Sequence, residues 1–205
     1  MSVFNTETEN LSYAMGMNMA HYLSNQPIPV DPALVLRGIA ETLAGKSQLS
    51  NEEYAASMQK LQDRMRAAGE AEIARLKKEN SAAAEKFLAE NAKLPGVVTT
   101  ASGLQYQVIS EGSGKRPSRE SKVRVNYTGT LLNGRVFDTT TNRGVAEFGV
   151  SQVIPGWTEG LQLMTAGSKY KFFIPPALGY GERGAGQQIQ PNSLLIFEVE
   201  LLEVL

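Results

Sequence analysis

From Ser50 to Lys93 the chain carries one helical pattern interrupted only by Gly69. Ser50-x-x-Glu53 is a capping box at its start, and Pro95-Gly96 closes it. Gly69 costs about 1 kcal/mol relative to Ala, which a run this rich in Ala, Glu, Lys and Leu tolerates. At ~1.5 Å per residue the helix would be roughly 60 Å long, more than the diameter of a small domain. A chain of 205 residues is long enough for two modest domains or one large one.

The helix changes character along its length. Tyr54, Met58, Leu61, Met65 and Ala68 follow 4-3-4-3 spacing, the pattern of a seam that needs a partner surface. Beyond Gly69 the apolar residues thin to Ile73, Leu76, Phe87 and Leu88 among Lys, Glu and Ala. That second half reads as solvated, like a stiff arm.

Residues 1–49 read as two short helices. Thr6-x-x-Glu9 is a capping box, and Leu11, Met15, Met19, Tyr22 and Leu23 then recur at helical spacing. Pro27 and Pro29 stop that helix. Asp31-Pro32 supplies an N-cap followed by a proline at the first helical position. Leu34, Leu36, Ile39, Ala40 and Leu43 form the next apolar face, with Gly45 as terminator.

After Pro95 the period switches to two. Leu104–Ile109, Val123–Tyr127, Lys169–Ile174 and Leu194–Val204 read as strands, and Asn133-Gly134 carries a hairpin signal. Pro155–Leu163 suits one short helix. The expected class is α+β: an N-terminal all-α module (1–49), a long connecting helix (50–94) and a C-terminal antiparallel sheet wrapped around a short helix (95–205). No internal repeat or low-complexity tract is present.

The net charge of -1 argues against a nucleic-acid binder. No apolar stretch approaches membrane-span length. The absence of Cys rules out disulfides and thiol chemistry without fixing a compartment. The first twenty residues lack a basic region followed by an apolar run, and Glu7 and Glu9 do not suit a leader peptide. A cytoplasmic location is expected, with a periplasmic one open if a leader is missing from this sequence.

The C-terminal half holds scattered aromatic and apolar residues with one carboxylate among them, while the lone His21 sits in the other half. No spacing suggests a metal site, and no cofactor is expected. Aromatic and apolar residues with one acid among them suit a reaction that breaks no covalent bond. The segments VNYTG, GRVFD, QVIPGW, LGYGERG and LLIFEVELLEVL, in this order over residues 97–205, resemble the FK506-binding-protein family of peptidyl-prolyl cis/trans isomerases.

That resemblance implies roles. Trp157 is similar to the family's pocket floor, and Tyr127, Phe137 and Phe197 to its walls. Val153 and Ile154 match the turn that contacts substrate backbone, with the Ile154 N–H donating to a substrate carbonyl. Tyr180, between Gly179 and Gly181, resembles the family's hydroxyl donor. Asp138 matches the acid at the pocket edge, often paired with Tyr127 and an Arg, for which Arg143 is the positional match. Ile189 supplies an apolar rim position. Taken singly, Tyr127, Phe137 and Phe197 are better explained as core; a turn cap is the alternative for Asp138 and a solvated surface charge for Arg143, while Tyr180 in its glycine-flanked loop is less easily explained as core. The rim departs from the family pattern. Ala146 stands where many members have an aromatic residue. Ala185, Gln188 and Gln190 replace a His, an apolar residue and a proline of the best-known eukaryotic members. These departures bear on substrate preference and macrolide affinity.

Residues 1–94 resemble the dimerisation module and long helix of the bacterial macrophage-infectivity-potentiator and 22-kDa members, through LSYAMGMNMA, LVLRGIAETLAGK and EKFLAENAKLPGVVTTASGLQY. The resemblance implies a V-shaped homodimer with Leu11, Met15, Met19, Tyr22, Leu36, Ile39, Leu43, Met58 and Leu61 in its interface. A self-contained helical hairpin packed on the long helix is the alternative. The implied partners are proline-containing peptides, unfolded chains and the macrolides FK506 and rapamycin. The implied activity is prolyl isomerisation by a dimeric folding helper. The rival readings are a proline-peptide capture or scaffolding module and a virulence-associated dimer with little isomerase activity. The presence of Tyr127, Phe137, Asp138, Ile154, Trp157 and Tyr180 together favours the enzyme.

Overall fold

The computed structural model describes residues 4–205; the first three residues of the expected 1–49 module lie outside the described residues. The chain divides into two compact units, with the boundary between Glu72 and Ile73.

In the first unit, α1 (Glu7–Ser24) starts at Thr6, whose Oγ1 accepts from the Glu9 N–H at 3.2 Å. The Glu9 carboxylate returns the contact to the Thr6 N–H at 3.0 Å, closing the capping box. α2 (Pro32–Leu43) is capped by Asp31, which accepts from Ala33 N–H at 2.9 Å and Leu34 N–H at 3.3 Å. α3 (Asn51–Asn91) opens on the reciprocal Ser50–Glu53 pair. Neither α1 nor α2 contains a buried residue.

The second unit holds the C-terminal half of α3 and a seven-stranded antiparallel sheet. Its strands are β1 (Val97–Thr99), β2 (Gln105–Ser110), β3 (Lys122–Leu131), β4 (Val136–Thr139), β5 (Ala146–Gly149), β6 (Lys169–Ile174) and β7 (Leu195–Val204). The order is β1-β2-β6-β7-β3-β4, and β5 pairs with the first half of β3. α4 (Pro155–Leu161) sits against the sheet and buries Trp157 and Leu161 among Val125, Phe172, Ile174, Phe197 and Val199. The inward residues of β7 alternate regularly, as a strand covered on one face requires.

The second half of α3 is not a solvated arm. Ala84 and Asn91 are buried, and the Phe87 ring meets Phe173 at 5.7 Å. Asn91 Nδ2 donates to Gln105 Oε1 at 2.8 Å, and Gln105 Nε2 donates to the Leu88 carbonyl at 2.9 Å. This docked face sets Phe87 among small and amide side chains, so apolar spacing alone did not mark it. No described helix is long and apolar enough to cross a membrane.

Candidate active site

A cavity of about 460 Å3 opens between α4 and the sheet. Its lining includes Trp157, Tyr127, Phe137, Phe148, Phe197 and Tyr180. Trp157 is 3% exposed and lies in the first turn of α4. Three rings meet it nearly edge-on: Tyr127 at 5.1 Å, Phe197 at 5.2 Å and Phe148 at 5.7 Å. Edge-to-face contacts of this kind add about 0.5–1.5 kcal/mol each beyond area burial. Phe137 meets Phe197 at 5.4 Å, also edge-on. Gly129 makes that approach possible, because a Cβ there would lie 2.7 Å from both rings. The Trp157 indole Nε1 is buried without a hydrogen-bond partner among the described residues.

Asp138 stands on β4 at the cavity edge, on the strand beside Tyr127. The Tyr127 hydroxyl donates to Asp138 Oδ2 at 2.5 Å. Arg143 Nη2 and the Thr139 N–H both donate to Oδ1, the latter at 2.9 Å. Burial alone would raise the Asp138 carboxyl, but the Tyr127 and Arg143 hydrogen bonds and the Arg143 charge outweigh it and hold the carboxyl below its usual value. The same burial, with the hydrogen bond to Asp138 next, pushes the Tyr127 hydroxyl well up. Tyr180 is raised by burial and then by the Asp138 charge. At neutral pH the site therefore holds one carboxylate and two neutral phenols.

Two backbone features set the remaining edge. Ile154 precedes α4 in extended conformation (φ -58, ψ 149), with Pro155 at the first helical position. Its carbonyl accepts from Trp157 and Thr158. Its own N–H engages no acceptor among the described residues. Tyr180, 40% exposed, reaches the cavity from the loop after β6, and its hydroxyl meets no protein partner among the described residues.

The structure thus gathers Tyr127, Phe137, Asp138, Val153, Ile154, Trp157, Tyr180 and Phe197 around one cavity. Arg143 lies outside the lining and touches it only through Asp138. Ile189 does not line the cavity; at 7% exposure it packs into the core cluster. Its loop folds back on itself, pairing Ile189 with Ala185. Phe148 and Gln152 complete the lining and were not singled out from the sequence. Phe148 sits on a four-residue strand, too short for its alternation to stand out. Among the described residues no group of three or more His, Asp or Glu side chains is placed to hold a metal ion.

In the first unit a groove of about 800 Å3 lies between α1 and α2, lined by Met15, Met19, Leu36, Ile39 and Leu43 among others. Leu11, Tyr22 and Met58 are exposed elsewhere on the helices, and Leu61 is half-buried.

Comparison with known proteins covers both units. The family described as "FKBP-type peptidyl-prolyl cis-trans isomerase" matches residues 113–202. The "Domain amino terminal to FKBP-type peptidyl-prolyl isomerase" matches residues 8–108. The "FKBP-type 22 kDa peptidyl-prolyl cis-trans isomerase" of Escherichia coli strain K12 is 44% identical over 207 residues, covering 98% of each chain. The "Outer membrane protein MIP" of Legionella longbeachae is 41% identical over 201 residues, 97% of this chain and 86% of that protein. Among solved structures, FkpA from Escherichia coli superposes with a TM-score of 0.83 at 36% identity, covering 98% of both chains.

Proposed function

The chain belongs to the FKBP-type peptidyl-prolyl cis-trans isomerase family, and on that premise we propose that it isomerises X-Pro bonds of peptides and unfolded chains in the Trp157 cavity, as a dimeric folding helper. The observation that carries the reading is a single ionised carboxylate, fully engaged by protein donors, at the edge of an aromatic bowl.

The X-Pro bond turns over slowly because its partial double bond must be lost, at a barrier of about 18–20 kcal/mol. Twisting it reduces the amide dipole and makes the nitrogen more pyramidal. A cavity walled by Tyr127, Phe137 and Phe197 over Trp157 favours this less polar, twisted form and excludes water that solvates the planar carbonyl. The unengaged Ile154 N–H and Tyr180 hydroxyl hold the flanking substrate carbonyls in a turn. Asp138 acts electrostatically on the twisting carbonyl. Every ~1.4 kcal/mol of stabilisation confined to the twisted state gives a tenfold gain in rate. No nucleophile and no proton shuttle are needed.

The uncovered apolar faces of α1 and α2 support association with a second copy of this chain. The same cavity is the site proposed for FK506 and rapamycin. The test is a Leu-Pro peptide isomerisation assay on the full chain, with and without rapamycin. The reading requires catalysis that rapamycin removes; catalysis unchanged by saturating rapamycin would place the activity outside this cavity.

A further inference from the structure

The loop that follows Tyr180 is tied down from outside the cavity. Its two ends meet where the Asn192 N–H donates to the Gly181 carbonyl at 2.9 Å. Asn192 sits in the left-handed region (φ 56), a conformation that Asn tolerates better than most residues. From there its amide Nδ2 donates to Ser81 Oγ on α3 at 2.9 Å and approaches the Lys77 carbonyl at 3.4 Å. One turn away on α3, Asn80 Nδ2 donates to the Pro191 carbonyl at 2.7 Å. Lys77 Nζ also meets Glu182 at 2.7 Å. Glu182 is largely exposed, so that ion pair contributes little and the part-buried amide contacts carry the attachment.

The far side of the loop is held as well. Arg135 donates to the Gln188 carbonyl, and Ala185 and Ile189 exchange backbone hydrogen bonds at 2.8 and 3.1 Å. Gly184 permits this closure: at φ 64, a Cβ would fall 2.2 Å from the Ile189 carbonyl oxygen. Little inside the loop is left to adjust, so its attachment to α3 determines where Gly181 lies. Gly181 is the residue next to Tyr180. The Tyr180 hydroxyl has no protein partner among the described residues, so the backbone at Gly179–Gly181 is what aims it.

We infer that Asn80 and Asn192 are positioning residues for the isomerase site: they clip the Gly181–Asn192 loop to α3 and thereby aim the Tyr180 hydroxyl at the substrate. The inference rests on the role proposed above for Tyr180. It makes the long helix part of the active-site support, in addition to its place between the two sequence regions. A misplacement of the donor by a fraction of an ångström weakens a hydrogen bond that counts only in the bound substrate.

A double-mutant cycle in the full chain tests this, read as kcat/KM on a Leu-Pro peptide in a protease-free assay. Asn80→Leu removes the helix-side donor at similar volume. Asn192→Gly removes the amide while keeping the left-handed backbone accessible. Each is made alone and with Tyr180→Phe. The expected result is a loss of about threefold to tenfold for each clip variant in the native background, and almost none in the Tyr180→Phe background, because residues acting through one group are not additive. Lys78→Ala, exposed on the same helix, should match the native chain. Equal losses in both backgrounds, or clip variants as active as the native chain, would overturn the inference while leaving Tyr180 its role. Tyr180→Phe as active as the native chain would remove that role, and the inference with it. Should Asn192→Gly fold poorly, Ser81→Ala combined with Asn80→Leu removes the helix-side side-chain partners without touching the loop.

Discussion

Asp138 accepts from Tyr127, Arg143 and the Thr139 N–H, so its oxygens are already engaged when substrate arrives. A carboxylate held in this way is a poor base and a well-placed fixed charge. Its folded value is depressed, so whatever it adds to stability and to the site is present above the unfolded value of about 3.9 and is lost only as pH falls below that, through the folded value. Activity on a Leu-Pro peptide should accordingly stay flat from about pH 5 up to neutrality, whereas a general base titrating in that window would give a sloping profile. Asp138→Val should lower kcat/KM by about tenfold or more, and Asp138→Asn by less, because the amide still accepts from Tyr127. Full activity in both variants would contradict the electrostatic role. Tyr180→Phe should cost about threefold to tenfold, the worth of one neutral hydrogen bond.

At the scale of elements, the docked half of α3 rests on Asn91 and Gln105, both buried and bonded to each other. Replacing Gln105 by Leu leaves the Asn91 amide and the Leu88 carbonyl without that partner. Denaturant unfolding of the variant should show a loss of about 1–3 kcal/mol; an unchanged midpoint would mean that water or a neighbour takes its place. This contact was not legible in the sequence, where Asn80, Ser81, Ala84 and Asn91 read as a solvated face. Hydrophobic periodicity reports only apolar burial, and apart from Phe87 this seam is largely small and polar. The caps at Thr6, Asp31 and Ser50 were legible because each is a local pattern of a few residues. The strands β2 and β3 were legible from alternation, whereas β4 and β5, four residues each, lie below what alternation resolves. The pocket aromatics were legible through the family resemblance, since spacing alone leaves Tyr127 or Phe197 equally suited to the core. Phe148 entered only when β5 paired with β3 and brought its ring to Trp157.

For the whole molecule, the proposal is a homodimer in which two copies of the α1–α2 surface cover one another. Met15, Tyr22, Leu36 and Leu43 are each more than 60% exposed in a single chain, an arrangement that water disfavours. Sedimentation of the full chain at micromolar concentration should give a dimer, and Leu36→Asp with Leu43→Asp should give a monomer. That monomer should keep its short-peptide kcat/KM within about twofold, since the cavity is built from one chain, yet lose much of its advantage on long unfolded chains that engage two sites. A native chain that sediments as a monomer would contradict the assembly without touching the site. The central claim, that the Trp157 cavity turns over prolyl bonds and does more than hold them, is tested most directly by nuclear magnetic resonance exchange between the cis and trans forms of a Leu-Pro peptide. Substoichiometric protein should accelerate the exchange, leave the cis/trans equilibrium and the peptide's covalent structure unchanged, and stop doing so when rapamycin fills the cavity. Peptide binding in the cavity with no acceleration of exchange would contradict the claim and leave a capture module.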